Sequence, residues 1–205
     1  MSPEGRITDC LYLDTFSKRL PMYVSSTCND TFLVVFNNRG HDSDIIEIDL
    51  QGRLLWTLPS NVRHIGIPAS VQLTRVDTIL IADLIRHVAM EIDRSGELLW
   101  QFGKTKHPSR KADYLSSPMS ARRIEDGRSL ISDTRNRRIV IVDSQGDLII
   151  EISSIRKDSG SMRKHRPRYV EVTPEGTMVI DDTGHNRILA IQPSGNHPVR
   201  QVRLL

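Results

Sequence analysis

The chain is poor in the residues that usually announce a function. It has only two cysteines, Cys10 and Cys28, so no disulfide framework staples it and the redox compartment is left open. Aromatic residues are 5% of its 205 positions, which leaves Ile, Leu and Val to build a core. No run of eighteen apolar residues occurs, so no helical membrane span is expected. The opening MSPEGRITDC lacks the apolar stretch of a secretory signal, and a chain read as it stands would stay in the cytoplasm. HExxH, GxSxG, a P-loop and a strand-borne GxGxxG are all missing. The seven histidines are scattered about one per loop, without the paired spacing of metal ligands. On these grounds no catalytic residue, metal or cofactor is assigned, and a binding protein is a better expectation than an enzyme.

What the chain has is repetition. Leu130 to Ile152 holds three short apolar runs, broken after Asp133 and around Ser144-Gln145-Gly146. Runs of β-branched residues this short, between polar and Gly-containing breaks, are strand signals and predict a meander. The same pattern recurs at Phe32–Leu58, Ile79–Phe102 and Met178–Leu205. Its turn glycines, Gly52, Gly96, Gly146 and Gly195, are spaced by 44, 50 and 49 residues. A proline opens each unit, at Pro21, Pro68, Pro118 and Pro167, spaced by 47, 50 and 49. All-strand self-similarity at this period predicts an all-β protein, a β-propeller of about four four-stranded blades. The blades fall at 21–58, 68–102, 118–152 and 167–205 of a single domain, with 1–20 as an extra outer strand around Arg6–Leu11. Five outer strands then face four sets of inner ones. An open or incomplete arc, missing blades or completion by a second copy follow, and with them bare apolar faces near Leu11 and Phe32 and near Val199–Leu204.

The runs Asp133-Thr134-Arg135-Asn136-Arg137-Arg138-Ile139 and Asp182-Thr183-Gly184-His185-Asn186-Arg187-Ile188 resemble the D-T-x-N-x-R-I core of NHL repeats. Phe102-Gly103 and the long link to Pro118 are similar to that family too. The resemblance covers roughly residues 21–205. It is weaker in the first unit, where Asn37 replaces the Asp, and in the second, where Val88 replaces the Arg. The Leu-Leu-Trp strands ending at Trp56 and Trp100 resemble, more weakly, arylsulfotransferase and PQQ-type propellers. The NHL resemblance implies a binding or scaffold module; the alternative is a propeller enzyme of lyase, lactonase or arylsulfotransferase type.

Counting from each proline aligns the inner strands. Tyr23 and Ser25, Ser70 and Gln72, Ser120 and Arg122, and Tyr169 and Glu171 share one side of the alternation and are expected to line the central channel. Tyr23, Gln72, Arg122, Tyr169 and Glu171 are therefore candidate ligand contacts. The loops that emerge on one face gather Arg86, His87, Arg135, Arg137, Arg138, His185 and Arg187 beside two basic links, Gly103–Ser117 and Ser153–Arg166. Turns on the opposite face carry Asp49, Asp77, Asp93, Glu125, Asp126 and Asp143. A basic upper face suits a protein or anionic ligand. Nucleic acid is the weaker expectation, because Tyr114 is the one aromatic side chain of the first link available for stacking on a base. Asp83, Asp133 and Asp182 recur once per repeat, which marks them as fasteners: a catalytic group is needed only once.

Overall fold

The computed structural model describes residues 20–36, 43–156, 162–164, 166–173 and 175–191, together with 11, 13 and 16. The first blade is β1 (Pro21–Ser26), β2 (Thr31–Phe36), β3 (Asp44–Asp49) and β4 (Leu54–Thr57). The second is β5 (Pro68–Leu73), β6 (Ile79–Asp83), β7 (Val88–Ile92) and β8 (Leu98–Phe102). The third is β9 (Ser120–Arg123), β10 (Ser129–Asp133), β11 (Arg138–Val142) and β12 (Leu148–Ile152). A short hairpin, β13 (Ser154–Arg156) with β14 (Met162–Lys164), precedes the fourth blade of β15 (Pro167–Val172), β16 (Met178–Asp182) and β17 (Arg187–Ile191). Every pairing is antiparallel between neighbours in sequence, so the molecule is an all-β propeller of four blades. The hairpin falls within the basic link Ser153–Arg166, where no strand was expected. The Gly195 turn, the Val199–Leu204 strand, Asn37 and all of Arg6–Leu11 but its last residue lie outside the described residues.

Each blade is a sheet too thin to be stable alone, and stacking buries both faces of blades two and three. Leu33, Val35 and Ile45 of blade one interlock with Val71, Ile79, Ile81 and Met90 of blade two. The other face of blade two, Leu80, Ala82 and Ala89, meets Ala121, Ile131, Val140 and Val142. Leu130, Ile139 and Ile141 then pack on Val170, Ile180 and Leu189 of blade four. Burial on both faces explains why the middle strands read as unbroken apolar runs rather than alternating ones. Inner strands lie side by side from β1 to β5, β5 to β9 and β9 to β15, whereas no comparable adjacency joins β15 back to β1. The rings of Tyr23 and Tyr169 meet across that gap.

Two expectations need correction here. The outward face of blade one was expected to be bare, yet Val34, Phe36, Ile46 and Ile48 are covered by Leu13 and Phe16 from the preceding segment. Its inner edge stays open, with Met22 48% and Val24 60% exposed, and so does its outer strand at Leu54 and Leu55. Second, the fastener position of the first repeat belongs to Phe36, not Asn37. Pro21 stands opposite Phe36 as Pro68 stands opposite Asp83 and Pro167 opposite Asp182.

Gly103, which ends the outer strand of blade two, has a φ of +96°, and a Cβ there would lie 2.6 Å from the His87 carbonyl oxygen. Gly127 has a φ of +85° but open space around it, its nearest neighbour being 4.0 Å away. Gly127→Ala should cost about 1 kcal/mol for the left-handed backbone alone. Gly103→Ala should cost more, about 2–3 kcal/mol, because backbone blocks the new methyl. Equal urea midpoints for the two variants would show that the outer strand is not pinned against the His87 turn.

Candidate functional site at the channel mouth

The upper end of the molecule is assembled by the buried aspartates. Asp133 is fully buried and accepts the Ser116 N–H at 2.7 Å, the Asn136 amide at 2.8 Å and the Arg138 Nε–H at 2.7 Å. Arg138 also holds Glu151 at 2.7 Å and the carbonyls of Lys111 and Tyr114, so it fixes the basic link over the turn. Asp182 repeats the arrangement with the Arg166 N–H, His185 and Arg187. Asp83 has no arginine to pair with, because Val88 stands there, and it accepts backbone N–H groups of Gly66, Ile67, Ile85 and Arg86 instead. The fastening expected within each turn is present, and it extends further than expected, to the residue that precedes the inner strand.

Around this frame the candidates of the upper face fall into two groups. Arg135 and Arg137 are exposed, and neither makes an ion pair among the described residues. His87 is instead a structural group. It takes a φ of +61° and its Nδ1 accepts the Ser117 N–H at 3.0 Å. Burial, and then the nearby Arg135, lower its pKa, which keeps the ring neutral and able to accept. Arg86 donates to the Arg63 carbonyl at 2.5 Å, and the His185 Nδ1 lies 3.0 Å from Asp182.

In the channel, three blades converge on Arg122. Its Nη2 donates to the Tyr23 hydroxyl at 2.6 Å, and its Nε lies 3.0 Å from Glu171. Tyr23 and Tyr169, from the two ends of the arc, have nearly parallel rings 6.5 Å apart at their centroids. Burial raises the Tyr23 pKa against the pull of Arg122, so the phenol keeps its proton. Gln72 does not join this group. Its carbonyl accepts the Arg123 N–H at 2.7 Å, and Ser70 accepts the Ala121 N–H at 3.0 Å. Ser70 and Ser120 were expected to line the channel but are fully buried between inner strands. They sit where neighbouring strands crowd together; Ser70 and Gln72 supply bonds there that a ladder would otherwise make, whereas the Ser120 hydroxyl is buried without a hydrogen-bond partner.

The lower face holds the features that sequence reasoning missed. Glu47 and Glu91 are buried in third strands, each accepting from a threonine, Thr31 or Thr78. Arg94 reaches Glu47 at 2.6 Å across the blade boundary and stacks over Trp56, with its guanidinium carbon 5.2 Å from the ring centre. Arg123 does the same with Glu91 and Trp100. A Glu in an apolar run 44 residues from its twin was the available signal. Arg53, Arg75, Arg94 and Arg128 also pair with Asp49, Glu125, Asp77 and Asp126. The lower face is therefore far less acidic than the count of its Asp and Glu suggested. Among the described residues no three His, Cys, Asp or Glu side chains are grouped to hold a metal ion, and no helix is long and apolar enough to cross a membrane.

No protein-family model and no curated protein sequence matches the chain. Solved structures do match. The fold is similar to that of virginiamycin B lyase from Staphylococcus aureus, solved in a catalytically inactive form with quinupristin, at 14% identity and a TM-score of 0.61. That match covers 89% of this chain and 55% of the lyase. A putative gluconolactonase is similar at 13% identity and a TM-score of 0.58, over 90% of this chain and 63% of that one. A structural genomics protein of unknown function from Bacteroides thetaiotaomicron is similar at 15% identity and a TM-score of 0.60, over 80% and 45% of the two chains. The chain thus spans about half of the length of the proteins it resembles. At these identities the shared property is the propeller fold.

The two aspartates differ in their titration. Burial pushes the Asp133 carboxyl up despite its partners. At Asp182 burial also pushes up, but the Arg166 N–H, His185 and Arg187 outweigh it and hold the pKa at about 2 against an ordinary 3.8. A carboxylate depressed by folding stabilises fully above its unfolded pKa and loses that contribution as pH falls through its folded one. Asp182 should contribute about 2 kcal/mol at neutral pH, fading between about pH 4 and pH 2. Urea titrations of Asp182→Asn should show its deficit shrinking over that window. A deficit constant with pH would contradict the assignment.

Proposed function

We propose that the chain is a binding module with NHL-like repeats, which takes an anionic ligand or partner over its basic upper face and channel mouth. One observation carries the reading. Within the repeat motif the acid is buried and spent on its own turn, while Arg135 and Arg137 stand exposed beside the Gly103–Ser117 link. Arg122, only 14% exposed at the channel, adds a cation held between blades. Charge arranged this way favours encounter with anions and costs the fold nothing, since the same turns are secured by other groups.

Heparin and a short single-stranded RNA, both fluorescently labelled, test the reading by anisotropy. Affinity should fall steeply as salt rises, and Arg135→Ala with Arg137→Ala should flatten the salt slope by roughly two units, one per lost contact. Absence of binding at low salt, or binding indifferent to salt, would leave the upper face as solvated surface. Preference for RNA over heparin would assign nucleic acid as the partner.

Virginiamycin B lyase and the putative gluconolactonase share the fold, and this favours a second reading, an enzyme of lyase or lactonase type. Turnover of a streptogramin B or of gluconolactone would replace the binding reading. Self-association belongs to the first proposal. Met22 and Val24 at one end of the arc and Ile188, 61% exposed, at the other are apolar groups left open to a second copy. Light scattering should give a mass above the 23.3 kDa monomer, and a monomer at high concentration would rule this out.

A further inference from the structure

Tyr23, Arg122, Tyr169 and Glu171 come from β1, β9 and β15, three strands that no ladder connects across the axis. The first strand of a blade begins at the upper face, so the two tyrosines lie nearer the mouth and Arg122 and Glu171 deeper. From this cluster we infer that the channel mouth is a site for a planar aromatic anion, its ring received by the tyrosines and its charge by Arg122. The inference rests on the channel-mouth part of the proposed function and narrows its ligand.

The tyrosines supply the first argument. Their rings are 14° from parallel with centroids 6.5 Å apart. Carbon atoms in face contact lie about 3.5–4 Å apart, so a third ring between two others needs about 7 Å. The two rings are already stacked on each other, so Tyr169 must shift for a third ring to enter between them. Tyr169 is 36% exposed, which leaves it room to move.

Arg122 supplies the second. Its Nη2 bonds Tyr23 and its Nη1 lies a long 3.5 Å from the Val71 carbonyl. Its Nε is buried and makes no hydrogen bond. Glu171 is 3.0 Å away, but off the N–H direction. A buried charged donor left without an aimed acceptor is costly, and a guanidinium matches a carboxylate or phosphate edge with two parallel bonds. Glu171 is 65% exposed on its side chain and can turn into water. It sits beside Arg122 and would yield to a ligand anion that approaches along the N–H.

A purely structural knot among three blades would also bring these residues together, and Glu171 tells the two apart. If it is a placeholder, Glu171→Gln should tighten binding, because the ligand no longer competes with a resident anion. The full chain is titrated by calorimetry with 2-naphthoate, beside cyclohexanecarboxylate, which has the charge and a ring without aromaticity. Saturable binding of naphthoate is expected, with cyclohexanecarboxylate about threefold to tenfold weaker for want of the aromatic contacts. Tyr169→Leu, at an exposed position that spares the fold, should cost a similar factor. Arg122→Gln should cost about tenfold to a hundredfold, the loss of a charged hydrogen bond. Naphthoate that fails to saturate up to about 10 mM in both wild type and Glu171→Gln would overturn the site, since that limit is weaker than any specific pocket of this kind. So would equal affinity for the two carboxylates, or weaker binding in Glu171→Gln. Heparin binding on the same variants separates this from the broader reading. Heparin retained with naphthoate lost sinks only the aromatic site, and the reverse sinks only the upper face.

Discussion

The structure depends most on a buried carboxylate at the end of the second strand of a blade. Asp83, Asp133 and Asp182 are each fully buried, and each accepts the backbone N–H of a residue just ahead of its inner strand, Gly66, Ser116 or Arg166. One ionised group thereby joins a turn to the segment that arrives from the preceding blade. Charge-assisted bonds of this kind are about twice as strong as neutral ones, and several per carboxylate repay the cost of burying it. Because side chains alternate along a strand with period two, fixing where the inner strand starts also fixes which of its side chains face the axis. Arg122 and Glu171 reach the channel as a consequence of an acid placed elsewhere.

A second set of bonds registers one blade against the next. Ser70 and Gln72 bond the backbone of β9, while Arg94 and Arg123 carry ion pairs to Glu47 and Glu91 under a tryptophan. These bonds specify angle and order, which apolar burial alone does not. Blade three has Ile141 and Ile150 on the corresponding third and fourth strands and joins blade four by apolar packing. The first blade likewise has Phe36 in place of the fastening acid and relies on burial. Buried ion pairs thus tie blade one to two and blade two to three, and apolar packing takes their place between blades three and four.

Much of this was legible before the structure. The repeat period and the all-strand pattern followed from two markers, proline and glycine, and Gly52, Gly96 and Gly146 do turn with positive φ. Asp133 and Asp182 were readable as fasteners because they recur. The partners Ser116 and Arg166 were not, since they lie 16 or 17 residues away in links without a pattern of their own. Arg94 with Glu47 is 47 residues apart, and nothing in local spacing connects them. At the channel, counting from the prolines put Tyr23, Arg122, Tyr169 and Glu171 on one side of their strands, but it could not separate them from Ser70, Ser120 and Gln72. That separation depends on how closely neighbouring inner strands approach, a property of blade stacking that alternation does not encode.

Arg122 is proposed as an anion receptor between blades, occupied by Glu171 until a ligand displaces it, and not merely as a tie. The proton on its Nε reports on this directly. In a nitrogen-15 correlation spectrum, with the signal assigned by its loss in Arg122→Lys, addition of 2-naphthoate should move the Nε–H resonance in step with ring signals of Tyr23 and Tyr169. It should also slow its exchange with water, as an aimed acceptor takes the bond that Glu171 leaves unmade. An Nε–H resonance that stays in place, while shifts appear only at Arg135 and Arg137, would show that anions stop at the rim and that the channel residues serve the fold alone.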